Sequence, residues 1–188
     1  MTIIAYLGAN VKEYREKAAD FLAALKICCP THPDKPMSNH DTYQRKIKET
    51  GETITVRLLI CHKCRVSLAV LPDFLLPKKH YSANEIESVA MQREAGSSVY
   101  DIDTPAKVCT VRRWLAEIPG KLEGQISRLK SLAMEHGPCP ISEAAFAGLT
   151  LMEQLRLIVQ KLPRIKFSGN LLGYAGIYTQ SLAVPGSK

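Results

Sequence analysis

The stretch TITVRLLICHKC, residues 53–64, holds the strongest local signals in the chain. In its first eight residues, Ile54, Val56, Leu58 and Ile60 alternate with Thr53, Thr55, Arg57 and Leu59, which predicts a half-buried β-strand over Thr53–Ile60. The strand ends in Cys61-His62-Lys63-Cys64. Because a two-residue spacer lets the backbone turn while both thiols point to one centre, this ending predicts a metal knuckle at the end of a strand.

A β-hairpin is predicted around this strand. Thr42–Lys48 precedes it and is joined to it by Glu49-Thr50-Gly51-Glu52, in which the glycine can supply the positive φ of a tight turn. A third short strand is expected within Val66–Pro77, and another within residues 2–7.

A partner for the knuckle lies upstream of the hairpin, in Cys29-Pro30-Thr31-His32. The two pairs are separated by 28 residues and together offer four nitrogen and sulfur ligands, the set that Zn²⁺ prefers. The sequence therefore predicts a zinc ribbon. Its predicted ligands are Cys29, His32, Cys61 and Cys64.

Other ligand choices remain open at this point. Cys28 can replace Cys29, and His40 or His62 can replace His32. Buried structural thiols and a redox CxxC pair are alternatives to a metal site, although a redox pair is expected to open a helix. The predicted site is structural, because the acidic residues of the hairpin lie at its far tip.

The remaining segments predict helices. Apolar residues recur every three or four positions over Val11–Leu25, which predicts an amphipathic helix there. Ser82 and Glu85 suggest a capping box for a helix over Ala83–Ala95. Proline and glycine signals divide the rest into four further predicted helices, which are Pro105–Glu117, Lys121–Glu135, Ser142–Leu162 and Leu171–Leu182.

These elements predict an α+β fold in which an N-terminal zinc-ribbon β-hairpin packs with a helical, helix-turn-helix-like C-terminal part. The division is placed between residues 1–81, with the first helix and the ribbon, and residues 82–188. The helix-turn-helix-like segment covers residues 82–135.

Composition and charge narrow the class of protein. The 188 residues carry a net charge of +7 with a pI of about 9.1, which favours a polyanionic partner. No export signal or membrane span is evident, so we expect a cytoplasmic protein with no membrane partner. In a reducing compartment, six cysteines are better explained as metal ligands or core thiols than as disulfides.

Basic residues concentrate in the segment 103–130, with six basic and three acidic side chains. Within Thr110-Val111-Arg112-Arg113-Trp114-Leu115, the apolar residues are expected to pack inward and the others to face a DNA groove. A solvated helix face is the alternative. The predicted contacts to double-stranded DNA are Arg45, Lys78, Lys79, Lys107, Thr110, Arg112, Arg113 and Arg128.

The order of these motifs resembles a known family. Cys29-Pro30 followed by His40-Asp41-Thr42-Tyr43-Gln44-Arg45, then Cys61–Cys64, Leu71–Leu75 and Thr110–Leu115, is similar to small bacterial zinc-ribbon proteins of unknown function. That family is related to the N-terminal DNA-binding region of insertion-sequence transposases. Two positions depart from its pattern, since His32 replaces a cysteine and Asp41 a glycine.

The resemblance implies DNA binding and a role beside mobile genetic elements, with other mobile-element proteins as further partners. We therefore expect a zinc-stabilised DNA-binding accessory factor or transcriptional regulator. A zinc-stabilised protein-interaction module with no nucleic-acid role is the alternative. An enzyme is not expected, because the 18 acidic residues are scattered and form no carboxylate cluster for two-metal chemistry. The sequence does not predict the oligomeric state.

Overall fold

The computed structural model describes residues 1–136, 142–162 and 167–181. Its elements are β1 (Thr2–Ala5), α1 (Val11–Ala24), β2 (Ser38–Lys46), β3 (Thr53–Ile60), β4 (Ser67–Pro72), α2 (Ala83–Glu94), α3 (Val108–His136), a short 3₁₀ helix (Glu143–Phe146), α4 (Leu151–Lys161) and α5 (Leu171–Ser181). The predicted α+β class is confirmed, with one four-stranded sheet and five α-helices among the described residues.

The sheet has the strand order β1-β4-β3-β2. The predicted hairpin is present as the antiparallel pair β2–β3, β4 pairs antiparallel with β3, and β1 adds to β4 in parallel. A register shift interrupts β2 between Asn39 and Asp41. Most side chains of the edge strand β2 are exposed. In β3, Ile54 and Val56 are buried and the residue between them is exposed, as the alternation predicts. The alternation does not continue, because Leu59 is buried and Leu58 and Ile60 are half-buried.

Contacts divide the chain into two compact units. Unit 1 comprises Met1–Ala83 and Phe167–Lys188, and unit 2 comprises Asn84–Lys166. Unit 1 has its core between α1 and the sheet, where Val11 and Tyr14 pack with strand residues such as Ile54, Val56 and Val70. In this unit α5 packs against β1.

α1 begins at a cap that its sequence provides. The Asn10 side chain accepts a hydrogen bond from the Glu13 backbone N–H at 3.0 Å. At the other side of the core, the Tyr14 hydroxyl donates to the Thr55 carbonyl at 2.7 Å, which ties α1 to β3. The helix is thus fixed at its start and along its buried face.

The predicted break between two helices at Pro119-Gly120 in unit 2 is wrong. Pro119-Gly120 does not end a helix, and the two predicted helices Pro105–Glu117 and Lys121–Glu135 form the single 29-residue helix α3. The reason is a stripe of buried side chains that passes the proline without interruption. It consists of Val111, Trp114, Leu122, Ile126, Leu129 and Ala133.

The prediction of one helix over Ser142–Leu162 is also wrong. A 3₁₀ helix ends at Phe146, Gly148 adopts φ +74°, and α4 starts only after Thr150. Thr150 and Glu153 form a capping box, which fixes this start. The predicted end of the last helix at Leu182 lies outside the described residues.

No described helix has the combination of length and apolar composition needed to cross a membrane.

Candidate metal centre and basic surfaces

Two loops of unit 1 bring four potential metal ligands together. One ligand atom each from Cys29, His32, Cys61 and Cys64 lies within 4.8 Å of the others. Cys29 Sγ is 3.5 Å from Cys64 Sγ and 3.7 Å from His32 Nδ1, and Cys61 Sγ is 3.7 Å from His32 Nδ1. Ligands arranged tetrahedrally about one Zn²⁺ ion lie about 3.5–3.8 Å apart, so these separations suit a single ion.

Backbone hydrogen bonds shape each loop. In the first, the His32 N–H donates to the Cys29 carbonyl at 3.1 Å, and the Cys29 N–H donates to the Lys35 carbonyl at 3.1 Å. In the second, the Arg65 N–H donates to the Cys61 carbonyl at 2.8 Å, and the Cys61 N–H donates to the Val66 carbonyl at 3.0 Å. Both loops therefore turn back on themselves around their ligand pair.

One of the three thiols, that of Cys61, lies in surroundings that favour its metal-binding form. Cys29 and Cys61 are buried, whereas His32 and Cys64 are partly exposed. A hydrogen bond from the Cys64 backbone N–H is the main reason that the pKa of Cys61 is lowered to about 6. Because the thiolate is the form that binds a metal, Cys61 is prepared as a ligand near neutral pH.

The structure distinguishes the predicted ligands from their alternatives. Cys28, His40 and His62 are not among the four residues whose ligand atoms converge, and Cys28 Sγ is instead 3.9 Å from the Lys26 carbonyl oxygen. Across the described ranges 1–136, 142–162 and 167–181, no other group of three or more histidine, cysteine or acidic residues is placed to hold a metal.

The predicted DNA contacts are distributed over both units. In unit 2, Lys107, Arg112, Arg113 and Arg128 are exposed and Thr110 is half-buried. In unit 1, Lys78 is exposed and Lys79 is half-buried. Arg45 differs from all of them, since it is buried and donates to the carbonyls of Leu76 and Lys79.

Arg112 is held by an aromatic neighbour in unit 2. Its Nη2 donates to the Tyr100 hydroxyl at 2.5 Å, and its guanidinium carbon lies 5.4 Å from the centre of the Tyr100 ring. Tyr100 is 72% exposed, so the pair lies at the surface. Tyr100 could not be identified from the sequence, because it lies twelve positions before Arg112 and no short-range pattern links the two residues.

A family described as "Domain of unknown function (DUF6431)" matches residues 28–114. This domain includes all four converging ligands and ends within the first two turns of α3. No curated protein and no solved structure gives a significant match to the chain.

Proposed function

We propose that this protein is a zinc-stabilised, non-enzymatic protein that binds double-stranded DNA through the exposed face of α3. The observation that carries the proposal is the division of that helix into two faces. One face is buried from Val111 to Ala133, and the other presents Arg112, Arg113 and Arg128 to solvent, with Lys107 just before the helix begins. A basic face on a rigid helix is suited to phosphate and base contacts.

Zinc is the metal that the converging residues favour. Three thiols and one imidazole form a soft, four-ligand set, which is typical of structural zinc. Because four protein ligands fill a tetrahedron, they leave no position for a reacting water. In this proposal the ion holds the end of the β2–β3 hairpin in a zinc ribbon and takes no part in catalysis.

The spacing along α3 suggests different roles for its basic residues. At about 1.5 Å per residue, Arg128 lies roughly 24 Å along the axis from Arg112 and Arg113. One helix cannot place both ends at the same base pairs. We therefore assign Thr110, Arg112 and Arg113 to the groove in a helix-turn-helix-like arrangement, and Lys107 and Arg128 to phosphates.

Neighbouring groups support this assignment. Tyr100 holds one Nη of Arg112 and leaves its other donors available, which reduces the side-chain entropy lost on binding. Lys121 is paired with Glu117 at 3.1 Å, so this pair adds no net charge to the exposed face. The remaining cations then define the surface for DNA.

The biological setting that we propose follows from the motif resemblance. The protein acts as an accessory factor or transcriptional regulator of a mobile element, with other mobile-element proteins as further partners. A zinc-stabilised protein-interaction module is the second candidate. The edge position of β2 favours it, because an edge strand can pair with a strand of another chain.

Binding to a fixed duplex over a salt series tests the first candidate. The Arg112→Gln/Arg113→Gln variant is expected to lose about tenfold or more in affinity. The Lys107→Gln/Arg128→Gln variant removes the two residues assigned to phosphates, so its slope of log K against log salt should become shallower by about 1.8. The matched control, Lys12→Gln/Lys26→Gln, removes two exposed charges of unit 1 and should bind as wild type does.

Two results would contradict DNA binding through α3. One is a wild-type protein that does not bind duplex DNA at low salt. The other is an α3 variant that binds as tightly as its control. Salt-insensitive association with a protein partner, lost when β2 carries a proline at its free edge, would support the interaction module instead.

A further inference from the structure

Two residues other than glycine adopt a left-handed backbone conformation among the residues that the structure describes. Arg65 and Lys78 both have φ +61°, and both side chains are exposed. This conformation is strained for a residue with a Cβ atom and is the usual place of glycine or asparagine. Since only 25 of the 188 residues are lysine or arginine, composition alone does not lead one to expect a cation at both positions.

The loop around the metal ligands requires the left-handed conformation at Arg65 but not its side chain. The Arg65 N–H donates to the Cys61 carbonyl, and the chain then turns so that the Cys61 N–H reaches Val66. Glycine would make both backbone bonds without strain. Next to Arg65, the side chains of His62 and Lys63 are also exposed, so this loop is basic and free of acidic residues.

The turn that carries Lys78 is built in a different way. The Lys79 N–H donates to the Leu76 carbonyl at 3.2 Å, and the guanidinium of buried Arg45 donates to the carbonyls of Leu76 and Lys79. Arg45 thereby fixes both sides of the turn and leaves Lys78 at its outside. Arg45 was predicted from the sequence as a DNA contact, whereas its bonds give it a supporting position.

The surroundings of Lys78 are basic as well. The Lys48 N–H donates to the His80 carbonyl at 2.8 Å, which brings Lys48 beside the same turn. Glu49 follows Lys48, but its Oε1 accepts the Ser82 N–H at 2.6 Å and its Oε2 is buried. The carboxylate thus points into the protein, and the surface keeps its positive charge.

We propose that Arg65 and Lys78, here called the left-handed cations, are phosphate contacts of unit 1 to nucleic acid, and that Arg45 is the positioning residue for Lys78. The inference rests on the proposed DNA-binding function and adds two contacts to it, Arg65 at the knuckle end of the sheet and Lys78 near the tip of the β2–β3 hairpin. Strained residues persist where the surrounding structure enforces them and often mark functional sites. A long cation at an outward turn reaches a phosphate without a clash between backbones.

Arg65→Gly and Lys78→Gly test the left-handed cations, because the two readouts should move in opposite directions. Each variant should weaken binding to duplex DNA severalfold and make the log K–log salt slope shallower by about 0.9. Its thermal midpoint should not fall and is expected to rise by about 1–4 °C, since glycine relieves the strain. Lys12→Gln is the control for loss of one charge elsewhere in unit 1, and metal content should be unchanged throughout.

Arg45→Lys tests the positioning role. One nitrogen of Arg45, Nη2, donates to both carbonyls. Lysine keeps the charge, but its ammonium nitrogen is one bond closer to the backbone and does not reach the position of Nη2. The variant should weaken DNA binding as Lys78→Gly does, and combining the two should add little, because both act through the same contact. Additive losses would mean that Arg45 does not act through Lys78.

Three outcomes would overturn the inference. If the glycine variants bind as the Lys12→Gln control does while the α3 variant loses binding, the left-handed cations are not contacts and the proposed function stands. If wild type binds no duplex DNA, both proposals fall. If both glycine variants instead lose binding to phosphatidylserine vesicles while duplex binding is unchanged, the left-handed cations contact an anionic membrane and not nucleic acid.

Discussion

Cys28 and Cys29 are adjacent in the chain and have different surroundings. Cys29 is fully buried with its sulfur 3.5 Å from that of Cys64, whereas Cys28 is partly exposed and near the Lys26 carbonyl. The spacing to His32 left both candidates open in the sequence. Which cysteine reaches the other ligands depends on the backbone hydrogen bonds that turn the loop at Cys29. These bonds cannot be predicted from the residue types.

Because of this difference, a serine substitution at Cys28 is a matched control for the same substitution at Cys29. We expect Cys29→Ser to reduce bound zinc from about one ion per chain to a small fraction, because a hydroxyl is a poor zinc ligand. Cys28→Ser should retain the metal. Elemental analysis of protein purified without added metal measures both, and equal retention by the two variants would refute the assigned ligand set.

Asp73 is a buried carboxyl group in unit 1. Its Oδ2 accepts the Ser168 N–H at 2.6 Å, and its Oδ1 is buried without a hydrogen-bond partner in the part of the chain that the structure describes. Burial is the main cause that raises the pKa of Asp73 above its ordinary value of 3.8. Folding therefore favours the protonated form.

The sign of the pH dependence follows from this shift. As the pH rises above 3.8, the unfolded chain releases the Asp73 proton while the folded chain keeps it, so this group lowers stability with rising pH. Asp73→Asn should remove that contribution. Urea unfolding from pH 4 to 7 should show the variant gaining on wild type as the pH rises, and a constant difference would contradict the prediction.

At the scale of elements, α3 shows where a local rule fails. Proline inside a helix costs about 3 kcal/mol, and Pro119-Gly120 predicted a break for that reason. Each large apolar side chain buried along the stripe contributes about 1.5–3 kcal/mol, and several of them lie on both sides of Pro119. Packing outweighs the lost hydrogen bond. The hairpin and α1 were predictable because pattern and packing agree there.

The start of α4 has a capping signal in the sequence. Thr150 and Glu153 have the spacing of a capping box directly before an apolar run, and the structure begins α4 there. The predicted start at Ser142 followed from treating residues 142–162 as one helical pattern. A cap inside such a pattern indicates a new start.

Substitution of one glycine in α5 and one in α3 tests how closely each helix approaches its surroundings. A Cβ added at Gly173 would lie 2.1 Å from the Asp73 carbonyl oxygen, whereas one at Gly120 meets nothing within 4 Å. Gly173→Ala should therefore lower the free energy of unfolding by about 1–3 kcal/mol. Gly120→Ala should raise it by about 0.5–1 kcal/mol, because alanine is the better helix former. Denaturant titration compares them, and similar effects at the two sites would contradict the close approach at Gly173.

At the scale of the whole molecule, the chain leaves unit 1 after Ala83 and returns to it at Phe167. The sequence division at 81/82 lies close to the first crossing. Nothing in the composition of Leu171–Ser181 indicates which elements it packs against, because an apolar helix can cover any apolar surface. Its place beside β1 is a long-range property that local patterns do not contain.

Metal removal should affect the two units differently. All four converging ligands belong to unit 1, so a chelator is expected to speed hydrogen exchange at the amides of β2, β3 and the two ligand loops. Amides of α3 and α4 should keep their protection. Hydrogen exchange measured by mass spectrometry with and without chelator compares the protection of the two units. Equal loss of protection in both would contradict the prediction and show that they unfold together.

The packing of α5 on β1 also has a consequence for the order of events during synthesis. Ile4 and Gly176 belong to the same unit, and a Cβ at Gly176 would meet the Ile4 side chain at 2.6 Å. The ribosome makes β1 first and the helix that covers it more than 160 residues later. Until then, the first strand is without its helix, and the growing chain has an apolar surface that a chaperone can protect.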